Sequence, residues 1–543
     1  MPRQQVFDYV IVGGGSAGCV LANRLSANER DSVCLLEAGP PDRSLLIRMP
    51  AGIGYLVPGQ RYNLHHYTQP QTELKGRRLY WPRGRTLGGS SSINAMVYMR
   101  GNSGDYDAWE AAGNPGWGWS GMLPYFLLSE GNARGGGAFH SSCGPLAVSD
   151  LKWTSEAGRA FLRAAESAGH SLNNDFNGDR QLGVGFYQVT QRHGRRCSSA
   201  GAYLRPVRNR VNLKVSTNIQ VAKLLFRGDR VCGVQLLNGR RILAQREVLL
   251  CAGAIQSPQL LLLSGIGPEN ELRSLGIATQ AHLPGVGKNL QDHLDITQVV
   301  ETSAPIGFSE SLGAKLKMAL HLPEFLLAGT GPLTNNVAEA GGFACSSKAG
   351  VFPDVQFHLS AAPLFDHGRR KTKGFGYSLH TCALRPHSRG EIKLQSADPR
   401  AQPVIQPNYL SAAEDLAVMA EGYEMAAAIL EQEDLKKYRK RLWSPTERLP
   451  NRREIENFIR QYAETIYHPA GTCKMGGDDM AVVDAELKVR GVNGLRVVDA
   501  SIMPTLISGN TNAPVMAIAE KSADMILRQQ RVVPESRLVK EAE

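Results

Sequence analysis

Gly13, Gly15 and Gly18 stand in the run Gly13-Gly14-Gly15-Ser16-Ala17-Gly18 and satisfy the spacing G-x-G-x-x-G. Glycine is needed at all three places for different reasons. One makes a tight turn, one lets a pyrophosphate approach the backbone, and one lets a helix pack closely on a strand. The helix that follows offers free N–H groups and the positive end of its dipole to the phosphates. Glu37 follows Gly18 by about 20 residues, where a carboxylate accepts hydrogen bonds from ribose hydroxyls and repels a 2′-phosphate. This combination selects FAD or NAD over NADP.

Elements must hold those residues in place. Phe7–Val12 (FDYVIV) reads as a buried strand, Ser16–Leu25 as a helix with Ala17, Leu21 and Leu25 on one stripe, and Val33–Leu36 (VCLL) as a second buried strand. Glu37 therefore closes a β-turn-α-β unit. The stretch Leu79–Gly101 is rich in Gly and Ser and predicts loop with short helix, and 131–145 predicts a surface loop. Alternation over 213–250 predicts strands, and Ile255–Ser264 predicts a helix. The stretch 301–464 has another texture: an apolar helical region near 313–328, strands near 354–360 and 376–383, and a charged helical region over 412–441. The tail returns to the first style, with a strand at Leu495–Val498 and a helix at Pro514–Leu527.

The 543 residues are 42% hydrophobic and 20% charged, values of a globular protein with a large core. The net charge of +11 is mild at this length and belongs to no nucleic-acid-binding module, so no nucleic-acid partner is expected. Nine cysteines with no C-x-x-C pair argue against a disulfide framework and a structural zinc site, and no metal is expected. A reducing cytoplasm fits them best. No apolar run of about 18 residues exists, so no spanning helix is expected. Basic clusters at Lys75–Arg85, His367–Lys373 and Lys436–Arg441, with the apolar helix near 316–328, are candidates for a peripheral contact with the inner face of the cytoplasmic membrane.

Three further stretches carry a resemblance. Trp81–Gly101 reads WPRGRTLGGSSSINAMVYMRG and Gly253–Pro268 reads GAIQSPQLLLLSGIGP. The tail reads YHPAGTCKMG (Tyr467–Gly476), GLRVVDASIMP (Gly494–Pro504) and GNTNAPVMAIAE (Gly509–Glu520). With the glycine fingerprint, these resemble the glucose–methanol–choline oxidoreductases, a family of FAD-dependent alcohol-oxidising flavoproteins. The likeness runs in the family's order from about residue 7 to residue 528. NDFNGD (Asn174–Asp179) and GVGFYQVTQ (Gly183–Gln191) are similar to the choline-dehydrogenase-like group, and within it to membrane-associated dehydrogenases of medium-chain aliphatic alcohols.

The resemblance implies an α/β (α+β composite) fold: a Rossmann-like FAD-binding domain in discontinuous segments, 1–155, 195–300 and 465–543. Residues 156–194 and 301–464 would form an inserted substrate-binding domain with an antiparallel sheet. It implies FAD seated on Gly13, Gly15, Ser16, Ala17, Gly18, Glu37 and Ala38. Arg85, Gly88, Gly89 and Ser90 would meet the pyrophosphate from the opposite side, and Asn94, Ala95, Met96 and Val97 would pass the isoalloxazine ring. Val221 would meet adenine. Ala252, Gly253, Asp499, Ala500, Asn512 and Ala513 would complete the seat. Some relatives bond the flavin covalently through a histidine here. This chain has Ile93 near that place and no His from 67 to 139, so FAD is expected to be non-covalent.

For the chemistry, the resemblance places His468 over the flavin with Asn512 as its partner. An imidazole near neutral pKa takes the hydroxyl proton of an alcohol, the flavin takes the hydride, and Asn512 would hold the substrate oxygen. The helix at Pro514 would aim its positive end at the reduced flavin. Residues near Thr334–Val337, Val355–His358 and Tyr377–His380 are expected to wall the substrate pocket, suited to an aliphatic or aromatic primary alcohol. Electrons would pass to a quinone or other acceptor. Alternatives on the same scaffold are an oxidase that releases hydrogen peroxide and a non-redox lyase.

Overall fold

The computed structural model describes residues 5–309, 311–372, 374–443 and 450–532. The opening strand, Gln5–Val12, lies parallel to Val33–Leu36 on one side and to Arg241–Leu250 on the other. Leu213–Ser216 extends the sheet beyond Val33–Leu36. From the tail, Leu495–Val497 pairs in parallel with the end of Arg241–Leu250. Val221–Arg227 and Arg230–Leu236 add an antiparallel hairpin to the start of that long strand. Val10, Ile11 and the whole of Val33–Leu36 are buried, as parallel strands covered on both faces must be.

Two helices from opposite ends of the chain pack together against this sheet: Ser16–Leu25 and Asn512–Val532. Arg24 on the first makes two hydrogen bonds of 2.7 Å to the buried Glu520 on the second. Tyr203 donates to the same carboxylate at 2.9 Å.

A second sheet is antiparallel, in the order Arg439–Trp443, Leu294–Thr302, Phe375–Ala383, Val355–Ser360, Ala338–Ala344 and Gly183–Phe186. Alternate residues face opposite ways. Val355, Phe357 and Leu359 pack with Phe161 and Ala426 of the covering helices Glu156–Ser167 and Ala413–Leu430. His358 and Ser360, which alternate with Phe357 and Leu359, face a cavity.

The structure departs from the sequence reading at two places. The expected domain boundary at residue 300 falls inside Leu294–Thr302, a strand of the second sheet. The expected helical region over 412–441 ends at Lys436, and Arg439–Trp443 is a strand instead. Its charged residues suit the edge of a sheet, where side chains reach water and unpaired backbone is protected from a second chain. All nine cysteines carry free thiols. Among the described residues, no helix is long and apolar enough to cross a membrane.

Candidate active site

A cavity of about 1890 Å³ lies between the two sheets. Gly13, Gly15, Ser16, Ala17, Glu37, Ala38, Arg85, Gly89, Ser90, Asn94, Ala95, Met96, Val97, Val221, Ala252, Gly253, Asp499, Ala500 and Asn512 all line it. Gly18, Gly88 and Ala513 do not. Gly18 serves packing: a Cβ there would stand 1.9 Å from the Gly13 carbonyl oxygen. Gly88 takes φ +85° and turns the loop that presents Gly89. Ala513 is buried one residue inside the closing helix.

The cradle fits a dinucleotide. A Cβ on Gly15 would meet nothing nearer than 3.8 Å, so the space above that residue is open. A Cβ on Gly89 would come 2.7 Å from the Gly15 Cα, so the two glycine loops touch back to back. Glu37 accepts hydrogen bonds from the Gly14 and Gly39 amides, each at 2.8 Å, and burial raises its pKa to about 7. Asp499 serves the scaffold on both oxygens. It accepts from the Gly253 amide at 2.8 Å, the Ser257 hydroxyl at 2.6 Å and the Ser501 amide at 2.8 Å.

His468 lines the same cavity. Its amide donates to Asp292 at 2.7 Å. Asp292 also accepts from the Thr465 and Tyr409 hydroxyls. Arg83 holds the carbonyl of Tyr467 at 2.7 Å, and Tyr467 takes φ +74°, a conformation that needs such support.

The ring of His468 is oriented by His293. The two Nδ1 atoms are 2.9 Å apart, with the rings at 88°. His293 Nε2 lies 3.0 Å from the Leu384 carbonyl, which can only accept. Nε2 of His293 therefore carries the proton, its Nδ1 is a bare lone pair, and His468 Nδ1–H donates to it. This leaves a lone pair on His468 Nε2. Burial first, then His293, His358 and Arg83 nearby, hold the His468 pKa well below its ordinary value. The ring is a neutral base at neutral pH.

The partner of His468 is not the expected one. Asn510 Nδ2 lies 3.3 Å from His468 Nε2, whereas the Asn512 side chain accepts a hydrogen bond from Ser16 at 2.8 Å. Asn512 is the first residue of its helix and turns toward the glycine loop, and Asn510 precedes that helix. Gln356 donates to Asn510 at 3.3 Å. Of the expected pocket wall, Asn336, Val337, His358 and His380 line the cavity, and Thr334, Val355 and Tyr377 do not. His380 Nδ1 lies 2.6 Å from Asp295.

The chain belongs to the GMC oxidoreductase family. Residues 7–295 match the family's N-terminal model and residues 386–519 its C-terminal model, both described as GMC oxidoreductase. An alcohol dehydrogenase [acceptor] of Pseudomonas putida is 48% identical over 96% of this chain and 96% of that protein. The mitochondrial choline dehydrogenase of Homo sapiens is 44% identical over 96% of this chain and 90% of that protein. Among solved structures, pyridoxine 4-oxidase from Mesorbium loti superposes with a TM-score of 0.86 at 33% identity, covering 97% of this chain and 100% of that one.

For this GMC oxidoreductase, Asp292, His293 and Asn510 are the site residues that sequence reasoning missed. Asp292 and His293 adjoin each other in NLQDHLD, a polar pair just before an apolar strand, which was the available signal. Asp366, His367 and Glu464 bring ligand atoms within 4.8 Å of one another. Arg369 and Arg77 already pair with the two carboxylates, which opposes a cation there.

Proposed function

We propose that the chain oxidises a neutral primary alcohol to the aldehyde with non-covalently bound FAD. One observation carries the reading: His468, neutral and with its Nε2 lone pair facing Asn510, opens on the same cavity as the glycine cradle. His468 Nε2 takes the hydroxyl proton, and Asn510 Nδ2 donates to the substrate oxygen and holds it in place. Bound FAD supplies the acceptor for the hydride leaving the carbinol carbon. Gly13, Gly15, Ser16, Glu37, Gly89 and Asn512 hold it.

A neutral alcohol fits better than a quaternary ammonium. The paired rings of Phe365 and Trp443 in the cavity wall already carry guanidinium groups. Arg370 lies 5.2 Å and 5.6 Å from the two ring centroids, and Arg441 lies 4.1 Å from that of Trp443. Those faces and their positive charge leave little attraction for another cation. Of the carboxylates lining the cavity, Asp295 is engaged by His380, Asp366 by Arg369 and Glu464 by Arg77 and His367. Val337, Ala338, Pro363 and Leu364 supply apolar wall for an aliphatic or aromatic chain.

The acceptor is a quinone or similar carrier, at the inner face of the cytoplasmic membrane. The name of the Pseudomonas putida relative supports an acceptor other than oxygen. Use of oxygen with release of hydrogen peroxide is the second reading, favoured by the pyridoxine oxidase likeness.

The test is an alcohol panel mixed anaerobically with the FAD-loaded enzyme, followed by absorbance near 450 nm, about where flavins absorb. Bleaching by primary alcohols supports the function, and no bleaching by any alcohol overturns it. Reoxidation by a quinone analogue without peroxide separates the two acceptors.

A further inference from the structure

Gln191–Arg192 and Arg195–Arg196 form a short hairpin whose turn is His193-Gly194, at φ +51° and +69°. A two-residue turn with both φ values positive suits the twist of its strands and fixes their register. Gln191 pairs with Arg196 and Arg192 with Arg195. Alternation sends the second pair to water and the first inward. Arg196 is left only 8% exposed.

Its guanidinium meets only uncharged oxygens. Nε donates to the Ile47 carbonyl at 2.9 Å. Nη1 donates to the carbonyls of Ser91 at 3.3 Å and Asn94 at 2.6 Å, and to the Asn94 side-chain oxygen at 2.8 Å. Nη2 is buried and makes no hydrogen bond among the described residues. Burial pulls the pKa down to about 9, so the group is still a cation at neutral pH.

Other buried guanidinium groups in this fold are matched by carboxylates. Arg100 pairs with Glu130 at 2.8 Å and Arg496 with Glu247 at 2.7 Å. Arg83 has Asp292 near it. No ion pair to Arg196 occurs among the described residues. A buried charge without a counter-charge destabilises the fold and points to a use in the reaction.

Its place fits such a use. Ser91 and Asn94 belong to the second glycine loop, of which Gly89, Ser90, Ile93, Asn94 and Ala95 line the cavity. Arg196 does not line it and stands behind Asn94. The Asn94 side-chain oxygen also accepts from the Met96 amide at 3.1 Å, which ties the turn at 94–96 to the guanidinium.

We propose that Arg196 is the fixed counter-charge for reduced FAD, acting through the turn at Asn94 on the ring that this turn passes. The proposal rests on the FAD-dependent reading of the cavity. A hydride brings two electrons and one proton to a neutral ring, so the ring becomes an anion. A cation already in place favours that product over the oxidised form and needs no rearrangement when the charge arrives. Low-dielectric surroundings carry the attraction through a layer of protein. The pyrophosphate is a different partner, because its charge is the same in both redox states. Pairing with it would strengthen the binding of both forms alike and leave the reduction potential where it was.

The test compares FAD-loaded wild type with Arg196→Gln, which keeps N–H donors for the carbonyls and removes the charge, and with Arg196→Lys, which keeps the charge. The potential of the bound flavin is read by dithionite titration against a reference dye, with no alcohol present. In Arg196→Gln the affinity for reduced FAD is expected to fall at least about tenfold relative to that for oxidised FAD, a drop in potential of about 30 mV for two electrons. Arg196→Lys is expected to stay within about threefold of wild type. Where Arg196→Gln does not fold, Arg196→Met takes its place in the same titration. An unchanged potential in the uncharged variant overturns the proposal. So does a lysine variant that falls as far as the glutamine variant, which would mark a structural clasp alone. Equal weakening of both redox states overturns it in favour of the pyrophosphate. A wild-type flavin that titrates normally but is bleached by no alcohol overturns the functional reading and leaves the result for Arg196 standing.

Discussion

His293 and His468 meet Nδ1 to Nδ1 at 2.9 Å, and a backbone carbonyl behind His293 decides which of them gives the proton. The catalytic ring is thereby locked in the one tautomer that can accept a substrate proton. His293 does not line the cavity and acts as a positioning residue. Replacing it with Phe keeps the bulk and removes the lock. Flavin reduction by alcohol is expected to slow by about tenfold to 10², with a changed pH profile, while FAD stays bound. Rapid-mixing absorbance across pH checks this. His468→Ala should cost about 10² or more.

The pH dependence has a definite sign. The pKa of His468 is depressed, so its base form persists below the usual histidine range. The reduction rate should stay flat from about pH 8 to about pH 6. Stability behaves differently. Burial lowers His293 to about 4 and His358 to about 3, against 6.5 in an ordinary environment. Below about pH 6.5 the unfolded chain takes up protons that the folded one refuses, so stability falls as the pH drops toward those values. Melting temperatures from about pH 7 down to about pH 5 should decline on this account.

Asn510 and Asn512 should separate cleanly. Asn510→Ala removes the donor beside His468 and is expected to slow reduction by about 10² with FAD retained. Asn512→Ala removes the contact with Ser16 and is expected to weaken FAD retention more than the chemistry. Flavin content after gel filtration, set beside the single-turnover rate, distinguishes them.

The resemblance implied that His468 and Asn512 from the tail meet over the seat formed by the glycine fingerprint, whereas Asn510 is the asparagine beside the base. The choice between the two asparagines depends on where the helix begins. Pro514 suits the first turn wherever within one residue the helix starts, so the sequence left the direction of both side chains open. The centre of the first sheet was legible because Phe7–Val12 and Val33–Leu36 are short, largely apolar runs, the first of them closed by glycine. The edge strand Arg439–Trp443 was not, since its charges continue the composition of the helix before it. His293 was hidden for another reason. Its role comes from a contact across 175 positions of sequence, which no local pattern encodes.

Gly15→Ala and Gly18→Ala should fail in different ways. The Gly15 methyl has room in the bare protein and would stand in the phosphate seat. The apoprotein should melt normally and lose FAD binding. The Gly18 methyl would overlap backbone at 1.9 Å, so the fold itself should be damaged. Thermal melts with and without added FAD check both outcomes.

His140 ties the 131–145 loop down through Asp175 at 2.9 Å and Glu130 at 3.1 Å. Hydrogen bonds to Asp175 and Glu130 raise its pKa to about 9. A raised pKa means stability that is complete below about 6.5 and lost as the pH climbs through about 9. His140→Gln should therefore cost about 1–3 kcal/mol at neutral pH and much less in alkali. The gap between wild-type and variant melting temperatures at the two pH values reads this directly.

Ser16 bonds to Asn512 across 496 positions, and the Gly253 amide is held by Asp499 across 246. A ribosome must release nearly the whole polypeptide before these contacts exist. Flavin capture is accordingly a late event in biosynthesis, and chains truncated before Asp499 should emerge colourless.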